Sequence, residues 1–383
     1  MAGSTLTLFP LILHKTAADS AAQNRGGTDL TDIRSDATAL KTFGWGIVGT
    51  GRIASDFASD LRQLSDARLA AVLSRDQSSA DLFAKKSAAV HAYNDIDRFM
   101  ADKTIDIVYI ASPNSMHLPQ ALRAIRAGKA VLIEKPVAPS EPEAEVLRRE
   151  ALRNNVFVME AMWVRFLPGM VAVKDIIDAG TIGAIQSISG TLSWRNDFDP
   201  QSRLFNKALG GGASLDLGVY LLSLTMHLLG EPEKISGSWQ AAPSGVDMRA
   251  SYRLHYPNAV AELECGLDRN LANTFEIKGS KGTVRISDPF VRARRIEVAT
   301  RRLANLAMSF AKRGGAEKLL ARLPFPGHKV LQFPYVGHGL SFQAQAVMDA
   351  LRRGETGHEM MPMSESAAVL RAISMLLAHP PSG

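Results

Sequence analysis

A single cysteine in 383 residues, Cys265, excludes an internal disulfide and leaves no thiolate set for a structural zinc site. His91, His255, His328, His338, His358 and His379 show no ligand spacing with cysteine or carboxylates, so no metal site is expected. No apolar run reads as long enough to span a bilayer. Leu6 to Leu13 is apolar but has neither a basic segment ahead of it nor a twin arginine, so a secretory signal is not expected. With no disulfide to keep oxidised and no leader, a cytoplasmic location is the expectation.

What is present is an ordinary globular composition, 46% apolar, in a chain long enough for two domains. The net charge of +6 does not spread over the surface. Between Arg292 and Lys329 ten bases stand against only Glu297 and Glu317, a local +8 that exceeds the whole. The basicity therefore belongs to one segment, and nucleic acid is not an expected partner. The apolar centre of that segment, Leu303 to Phe310, permits a basic amphipathic helix touching a membrane or a partner. A solvated insertion (about 291–331) or a subunit arm is the preferred reading, with no membrane contact. Residues 1–42, rich in Ser, Ala, Asp, Gly and Thr, read as a flexible N-terminal arm.

Residues Phe43 to Val48 form a short apolar strand, followed by Gly49-Thr50-Gly51-Arg52-Ile53-Ala54 and a run with helical spacing through Phe57, Leu61 and Leu64. The first glycine permits a tight turn, the second a close approach of backbone to a diphosphate, and Ala54 close packing of helix on strand. The diphosphate would lie on the helix N-terminus, where free N–H groups and the dipole favour an anion. About twenty residues on, the next strand ends in Ser74-Arg75-Asp76, where a carboxylate would bind the ribose of NAD. Ser74 and Arg75 suit a 2′-phosphate instead, so NADP is the expected cofactor, with NAD and an Asp76 ribose contact as the alternative.

Strands and helices alternate from Gly44 to about Arg165, the signature of a doubly wound parallel sheet: an α/β Rossmann domain over 43–165. One strand runs Val131 to Ile133 into Glu134-Lys135-Pro136, which puts an ammonium at the carboxyl end of a parallel strand, where open α/β sheets bind ligands. Beyond Arg165 come strands with short turns: Ala184–Trp194, Lys234–Gln240, Met248–Tyr256, Ala259–Leu267 and Asn273–Ser287. They predict an α+β domain over 166–383 with a large, mostly antiparallel open sheet. Between them Gly210-Gly211-Gly212 opens a helix on which Leu217, Leu221, Leu224 and Leu228 form an apolar stripe. Asp216, Tyr220, Ser223 and His227 form a polar stripe beside it, facing either water or a site, and Asp216 and Tyr220 stand one turn apart near the helix start, a place for proton transfer. Asp197 and Asp199, with Arg195 and Asn196, lie in a loop that reads equally as a sugar pocket or as solvated chain.

Together these pieces resemble the glucose-fructose oxidoreductase / inositol dehydrogenase / rhizopine-catabolism (Gfo/Idh/MocA) family over about Trp45 to Ile286 and again from Phe333 to Leu377. The likeness is carried by Gly49-x-Gly51-x-x-Ala54, Ser112-Pro113-Asn114-Ser115-Met116-His117, Glu134-Lys135-Pro136, and Gly210-Gly211-Gly212 with Asp216 and Tyr220. Tyr220, where many relatives carry histidine, and Glu160 to Phe166 look more like the branch of dimeric dihydrodiol dehydrogenase, NADP-dependent D-xylose 1-dehydrogenase and glucose-fructose oxidoreductase. The N-terminal arm and the basic segment depart from the family pattern.

The resemblance implies hydride transfer between C4 of a nicotinamide and a carbinol carbon of an aldose or vicinal diol. It implies Tyr220 as general acid/base, Lys135 stabilising phenolate and alkoxide, and Asp216 orienting Lys135 or a substrate hydroxyl. Glu134 would position the nicotinamide ribose, and Ser112, Pro113, Asn114 and His117 would border the nicotinamide. Trp163 and Arg165 would close the cofactor cleft by stacking or a phosphate contact, and His117 is the rival base. A homodimer or homotetramer is the family's usual assembly. Two other readings remain: an enzyme that retains and recycles its nicotinamide between sugars, and a non-catalytic dinucleotide sensor.

Overall fold

The structure, a computed structural model, describes residues 41–300 and 326–382. The expected arm thus lies outside the described residues, apart from its last two positions, as does the middle of the basic segment.

β1 (Phe43–Val48), β2 (Ala67–Leu73), β3 (His91–Tyr93), β4 (Ile107–Ile110), β5 (Ala130–Glu134) and β6 (Val158–Ala161) form one sheet in the order β3-β2-β1-β4-β5-β6. All its pairs are parallel. The connections are α1 (Arg52–Leu61), α2 (Gln77–Ser87), α3 (Ile96–Ala101), α4 (His117–Arg126) and α5 (Glu141–Asn154). Every residue of β1, β4, β5 and β6 is buried, because helices cover both faces of the sheet. Trp45 and Ile47 belong to one apolar cluster with Phe57 and Leu61, while Val48, Val108 and Ile110 belong to another with Ala121, Ile125 and Leu147. The chain leaves β1 toward β2 and β3, then returns to β4 on the other side. The loops after β1 and β4 therefore part, opening a crevice at this switch point.

β7 (Ile185–Ser193), β8 (Lys234–Ala241), β9 (Asp247–His255), β10 (Val260–Gly266), β11 (Phe275–Gly279), β12 (Thr283–Ile286), β13 (Arg295–Ala299) and β14 (His328–Gln332) form the second sheet, in the order β14-β13-β12-β11-β7-β10-β9-β8. Only β7 and β10 run parallel in it. The alternation is clear in β9, where Ala250, Tyr252 and Leu254 are buried, and in β10, where Ala261, Leu263 and Cys265 are. These side chains meet α6 (Pro168–Asp178) and α7 (Val219–Leu229) within one core.

The run Asn273–Ser287 is a hairpin of β11 and β12 that turns at Gly279–Gly282, where turn residues cluster and Gly279 N donates to Gly282 O at 2.8 Å. Two expectations need correction. The two ends of the basic segment are β13 and β14, extending the sheet; Ile296 and Val298 point inward while the bases obscured this pattern in the sequence. Lys207–Leu229 is long and apolar enough for a bilayer, contrary to the first reading, yet 72% of its apolar window is buried inside the fold.

The last two helices, Ser341–Arg352 and Met363–Leu377, return to the first sheet. Met363, Ala367 and Leu370 join the apolar cluster of α4 and α5. The buried Asp60 of α1 accepts the N–H groups of His338 at 2.9 Å and Leu340 at 2.8 Å, anchoring the approach to these helices.

Candidate active site

The glycine turn after β1 has two different glycines. Gly49 sits at φ +106°, and a Cβ there would stand 2.6 Å from Ala111 O, so no other residue fits without a shift. Gly51 has an ordinary extended backbone, and a Cβ there would meet nothing within 4 Å. Gly51 is also the N-cap of α1 and supplies no side-chain cap, so the first-turn N–H groups face open space. Ala54 is fully buried. Such an uncapped, glycine-lined helix start is a fit for a diphosphate. Arg52 is exposed and Ile53 lies partly buried against the core.

At the end of β2, Thr50 Oγ1 and Ser74 Oγ are 3.5 Å apart. Asp76 is used as the N-cap of α2: its Oδ2 accepts Ser79 N at 2.8 Å, Ser78 Oγ at 2.6 Å and Ser79 Oγ at 2.8 Å. These hydroxyl and N–H donors hold its carboxyl below the usual range. Arg75 is exposed and has no side-chain partner among the described residues.

Two strand ends meet at the other side of the crevice. After β4, Ser112 Oγ donates to Gln120 Oε1 at 2.6 Å and Pro113 opens a short helical turn through Asn114. Asn114 Nδ2 donates to Gly210 O at 2.9 Å, joining this loop to the glycine triplet. His117 is fully buried, with Nδ1 2.8 Å from Pro136 O and Nε2 3.0 Å from Ser112 O. Both ring nitrogens are thus taken up by backbone, and burial pulls the imidazole below its ordinary pKa. His117 clamps the loops after β4 and β5 together; it is not placed as a base.

Lys135 follows β5 directly. Its Nζ donates to Asp216 O at 2.6 Å and to Asp216 Oδ1 at 3.0 Å, and stands 4.8 Å from the centre of the Tyr220 ring. Trp163 Nε1 donates to the Tyr220 oxygen at 3.1 Å. Arg203 Nη1 donates to the same Asp216 Oδ1 at 2.9 Å, so two cations converge on one carboxylate oxygen. Sequence reasoning missed Arg203, because nothing local marks a loop arginine as the partner of a carboxylate a helix entry away. Behind Lys135, the Tyr109 hydroxyl donates to Glu134 Oε1, and Lys135 N donates to Glu134 Oε2 at 3.2 Å. Tyr109 as the partner of Glu134 was also not foreseen.

The electrostatics separate these groups. Burial raises the Asp216 carboxyl, but Lys135 and Arg203 overcome it and bring it down to about 2. Burial dominates at Glu134, which is pushed up to about 7 against the pull of Tyr109 and Lys135. Burial likewise raises the Tyr220 phenol, and Lys135 opposes it. Burial would lower the Lys135 ammonium, yet Asp216, Tyr220 and Glu134 hold it above its ordinary value. One carboxylate stays ionised and its neighbour titrates near neutrality, a division set by environment.

Arg165 lies elsewhere. Its side chain is fully buried: Nε donates to Ser223 Oγ at 2.9 Å, Nη2 to Ser223 O at 2.6 Å, and Nη1 to Met360 O at 2.8 Å and Glu365 Oε2 at 2.7 Å. With its donors committed it cannot reach a cofactor phosphate, so that expectation is corrected: Arg165 braces the fold. Its partner Ser223 is fully buried too; of the stripe of Asp216, Tyr220, Ser223 and His227 the middle pair, Tyr220 and Ser223, is buried, while Asp216 and His227 are partly exposed. The loop of Arg195, Asn196, Asp197 and Asp199 is largely exposed; Asp199 closes its own turn by accepting Gln201 N at 2.9 Å. Among the described residues no cluster of three metal-ligating side chains occurs.

Residues 43–162 match the profile of an oxidoreductase family with an NAD-binding Rossmann fold, and residues 170–285 match the GFO/IDH/MocA C-terminal domain. The chain is 32% identical over 327 residues to trans-1,2-dihydrobenzene-1,2-diol dehydrogenase of Bos taurus, covering 84% of this chain and 92% of that protein. Among solved structures, aldose-aldose oxidoreductase from Caulobacter crescentus in complex with glycerol is similar with a TM-score of 0.74 at 22% identity, covering 88% of this chain and 96% of the other. Levoglucosan dehydrogenase with NADH and L-sorbose is similar with a TM-score of 0.75 at 20% identity, over 88% and 97% of the two chains.

Proposed function

The chain belongs to the Gfo/Idh/MocA oxidoreductase family, as a nicotinamide-dependent dehydrogenase acting on CH–OH groups, and on that premise we propose that it oxidises a vicinal diol or an aldose, with NADP, through a Lys135–Tyr220 proton-transfer pair. The bound nicotinamide supplies the hydride acceptor. Everything else falls to this chain's residues. Tyr220 takes the proton of the substrate hydroxyl as the carbinol carbon gives up its hydride. A buried phenol is a poor base, and the Lys135 ammonium at 4.8 Å from its ring stabilises the phenolate and the developing alkoxide. Asp216 holds that ammonium in place and charged, and Trp163 orients the Tyr220 oxygen through its N–H. The observation that carries the reading is the convergence of Lys135, Asp216 and Tyr220 at the carboxyl edge of the parallel sheet. Glu134, Pro113 and Asn114 are assigned to the nicotinamide side of the same crevice.

The preference for NADP rests on Asp76. Its carboxylate is engaged as a helix cap, while Arg75 beside it has its guanidinium free to meet a 2′-phosphate.

The test is reduced-nicotinamide absorbance across trans-diols and aldoses, with NADP and NAD separately. Wild type is expected to turn over with NADP, and Lys135→Ala and Tyr220→Phe to lose at least ~100-fold in kcat, the range of general acid–base help. Arg75→Gln is expected to raise the KM for NADP ~10-fold or more and to leave NAD unaffected, a charge-assisted bond being worth about 1.5–3 kcal/mol. Turnover preserved in both Lys135→Ala and Tyr220→Phe overturns the assignment of the pair.

A further inference from the structure

Each glycine of the triplet ahead of the catalytic helix is crowded by this chain's own atoms. A Cβ at Gly210 would lie 2.9 Å from Asn114 Cβ, and one at Gly211 2.7 Å from Leu204 O. At Gly212, with φ +125°, it would lie 2.2 Å from Asp247 Oδ1. The last contact matters most, since the missing side chain admits a carboxylate.

Asp247 is only 3% exposed and starts β9, across the core from the π-helical turn Ser214–Gly218 that leads into α7. Its Oδ2 accepts Ser214 N at 2.6 Å, and the Tyr252 hydroxyl donates to Ser214 Oγ at 2.5 Å. The turn has no cap of its own, for its N-cap position is Ala213. Asp216 follows Ser214 by two residues and Tyr220 by six, so the turn sets the height and rotation of both. A buried carboxylate without a cation is expensive unless hydrogen-bond donors hold it, as Ser214 does here. The same space filled by an apolar side chain would be cheaper, so stability alone does not explain Asp247.

We infer that Asp247 is a positioning residue: its ionised carboxylate, delivered from β9, caps the π-turn and thereby aligns Asp216 and Tyr220 with Lys135. The inference rests on the Lys135–Tyr220 reading of the site. The titratable groups facing Asp247 are Tyr252 on its own strand and Cys265 on β10, both pushed well above their ordinary ranges by burial and so neutral in working buffers. Its partner on β8, Ala241, is uncharged. Burial pushes the Asp247 carboxyl up to about 6. Protonation below that value weakens the bond to Ser214 N, and kcat falls with it.

The experiment compares wild type, Asp247→Asn and Gly212→Ala in the full chain. Asp247→Asn keeps the shape and removes the charge. It is expected to lose about tenfold in kcat at pH 7.5, with KM and dinucleotide Kd within about twofold, as a charge-assisted bond becomes a neutral one. Wild-type kcat should fall as the pH drops through about 6, whereas the Asn variant should show no such limb. Amide hydrogen exchange over 213–220 should quicken in the Asn variant whatever its activity. Gly212→Ala, which places a methyl group against Oδ1 of the same carboxylate and so displaces it from Ser214 N, should reproduce both effects; if it does not fold, Asp247→Asn decides. Wild-type kcat at all pH values with unchanged exchange overturns the inference. So does a joint loss of KM, Kd and thermal stability, which marks a merely structural carboxylate. Full turnover in Lys135→Ala and Tyr220→Phe sinks the underlying reading instead, and the exchange data still judge the cap.

Discussion

Glu134 and Asp216 flank Lys135, yet their carboxyls stand at about 7 and about 2. The difference lies in what each carboxylate meets: Asp216 receives two cations, while Glu134 receives mainly a phenol in a dry setting. Glu134 therefore binds its proton more tightly in the folded than in the unfolded chain. Its contribution to stability is present below the unfolded value of about 4.5 and is lost as the pH rises toward about 7. Glu134→Gln does not titrate. The stability of wild type relative to this variant should thus fall between pH 4.5 and 7.5, by on the order of 3 kcal/mol, read from urea unfolding at the two pH values. A difference that grows with pH would mean that Glu134 is held ionised. The charge at Glu134-Lys135 was legible in sequence as an ion-pair-capable strand end. Tyr109, Arg203 and the direction of each shift were not, because they depend on which groups the packing brings within a few ångströms.

Gly49 and Gly51 look alike in the sequence and do different work in the turn between β1 and α1. At Gly49 the positive φ and the Ala111 carbonyl leave no room for a side chain, so Gly49→Ala should fail to fold stably. At Gly51 there is space and an ordinary φ of −76°. Gly51→Ala should therefore melt within about 1 °C of wild type, since surface changes away from special backbone are nearly neutral. It should nevertheless weaken dinucleotide binding ~10-fold or more, because the methyl group occupies the approach of the diphosphate. Thermal melts and fluorescence titration separate the two, and a Gly51→Ala protein that binds dinucleotide normally would rule out this placement of the diphosphate. The strand–turn–helix unit was readable because it is local and its dihedral demands are steep. The catalytic helix was readable only in part. Its apolar stripe was evident, but Ser223 and most of Tyr220 turned out buried, since the second sheet and the last helix pack against this helix as well.

Across the molecule, Arg165 ties three regions: the turn after β6, the middle of α7, and the segment from Met360 to Glu365 that begins the last helix. Removing it leaves Ser223 O and Met360 O without their donor where the Arg165 side chain was fully buried, and strips the half-buried Glu365 of its cation. Arg165→Met should lower stability by about 3–5 kcal/mol, the cost of breaking a buried pair from one side. The folded fraction should bind dinucleotide with unchanged affinity, and a selective loss of affinity would return Arg165 to the cofactor. The parallel and antiparallel sheets were foreseen from the change of rhythm at Arg165. The last two strands were not, because bases interrupt their apolar alternation and their pairing partners come from β12 and from each other.

By itself the sequence determined most of the order of strands and helices up to the basic segment, the dinucleotide turn, and the chemical types at the strand ends. Each of these follows from periodic burial and from backbone angles set within a few residues. Only the tertiary structure decided that Asp216, 81 positions away, holds Lys135, that Arg203 shares its oxygen, and that Asp247 reaches across 33 positions to cap the catalytic turn. Those contacts exist because two sheets, built from separate stretches of chain, close over the same crevice. Charge and hydrogen bonding act over distances in space and carry no mark in the spacing of residues along the chain.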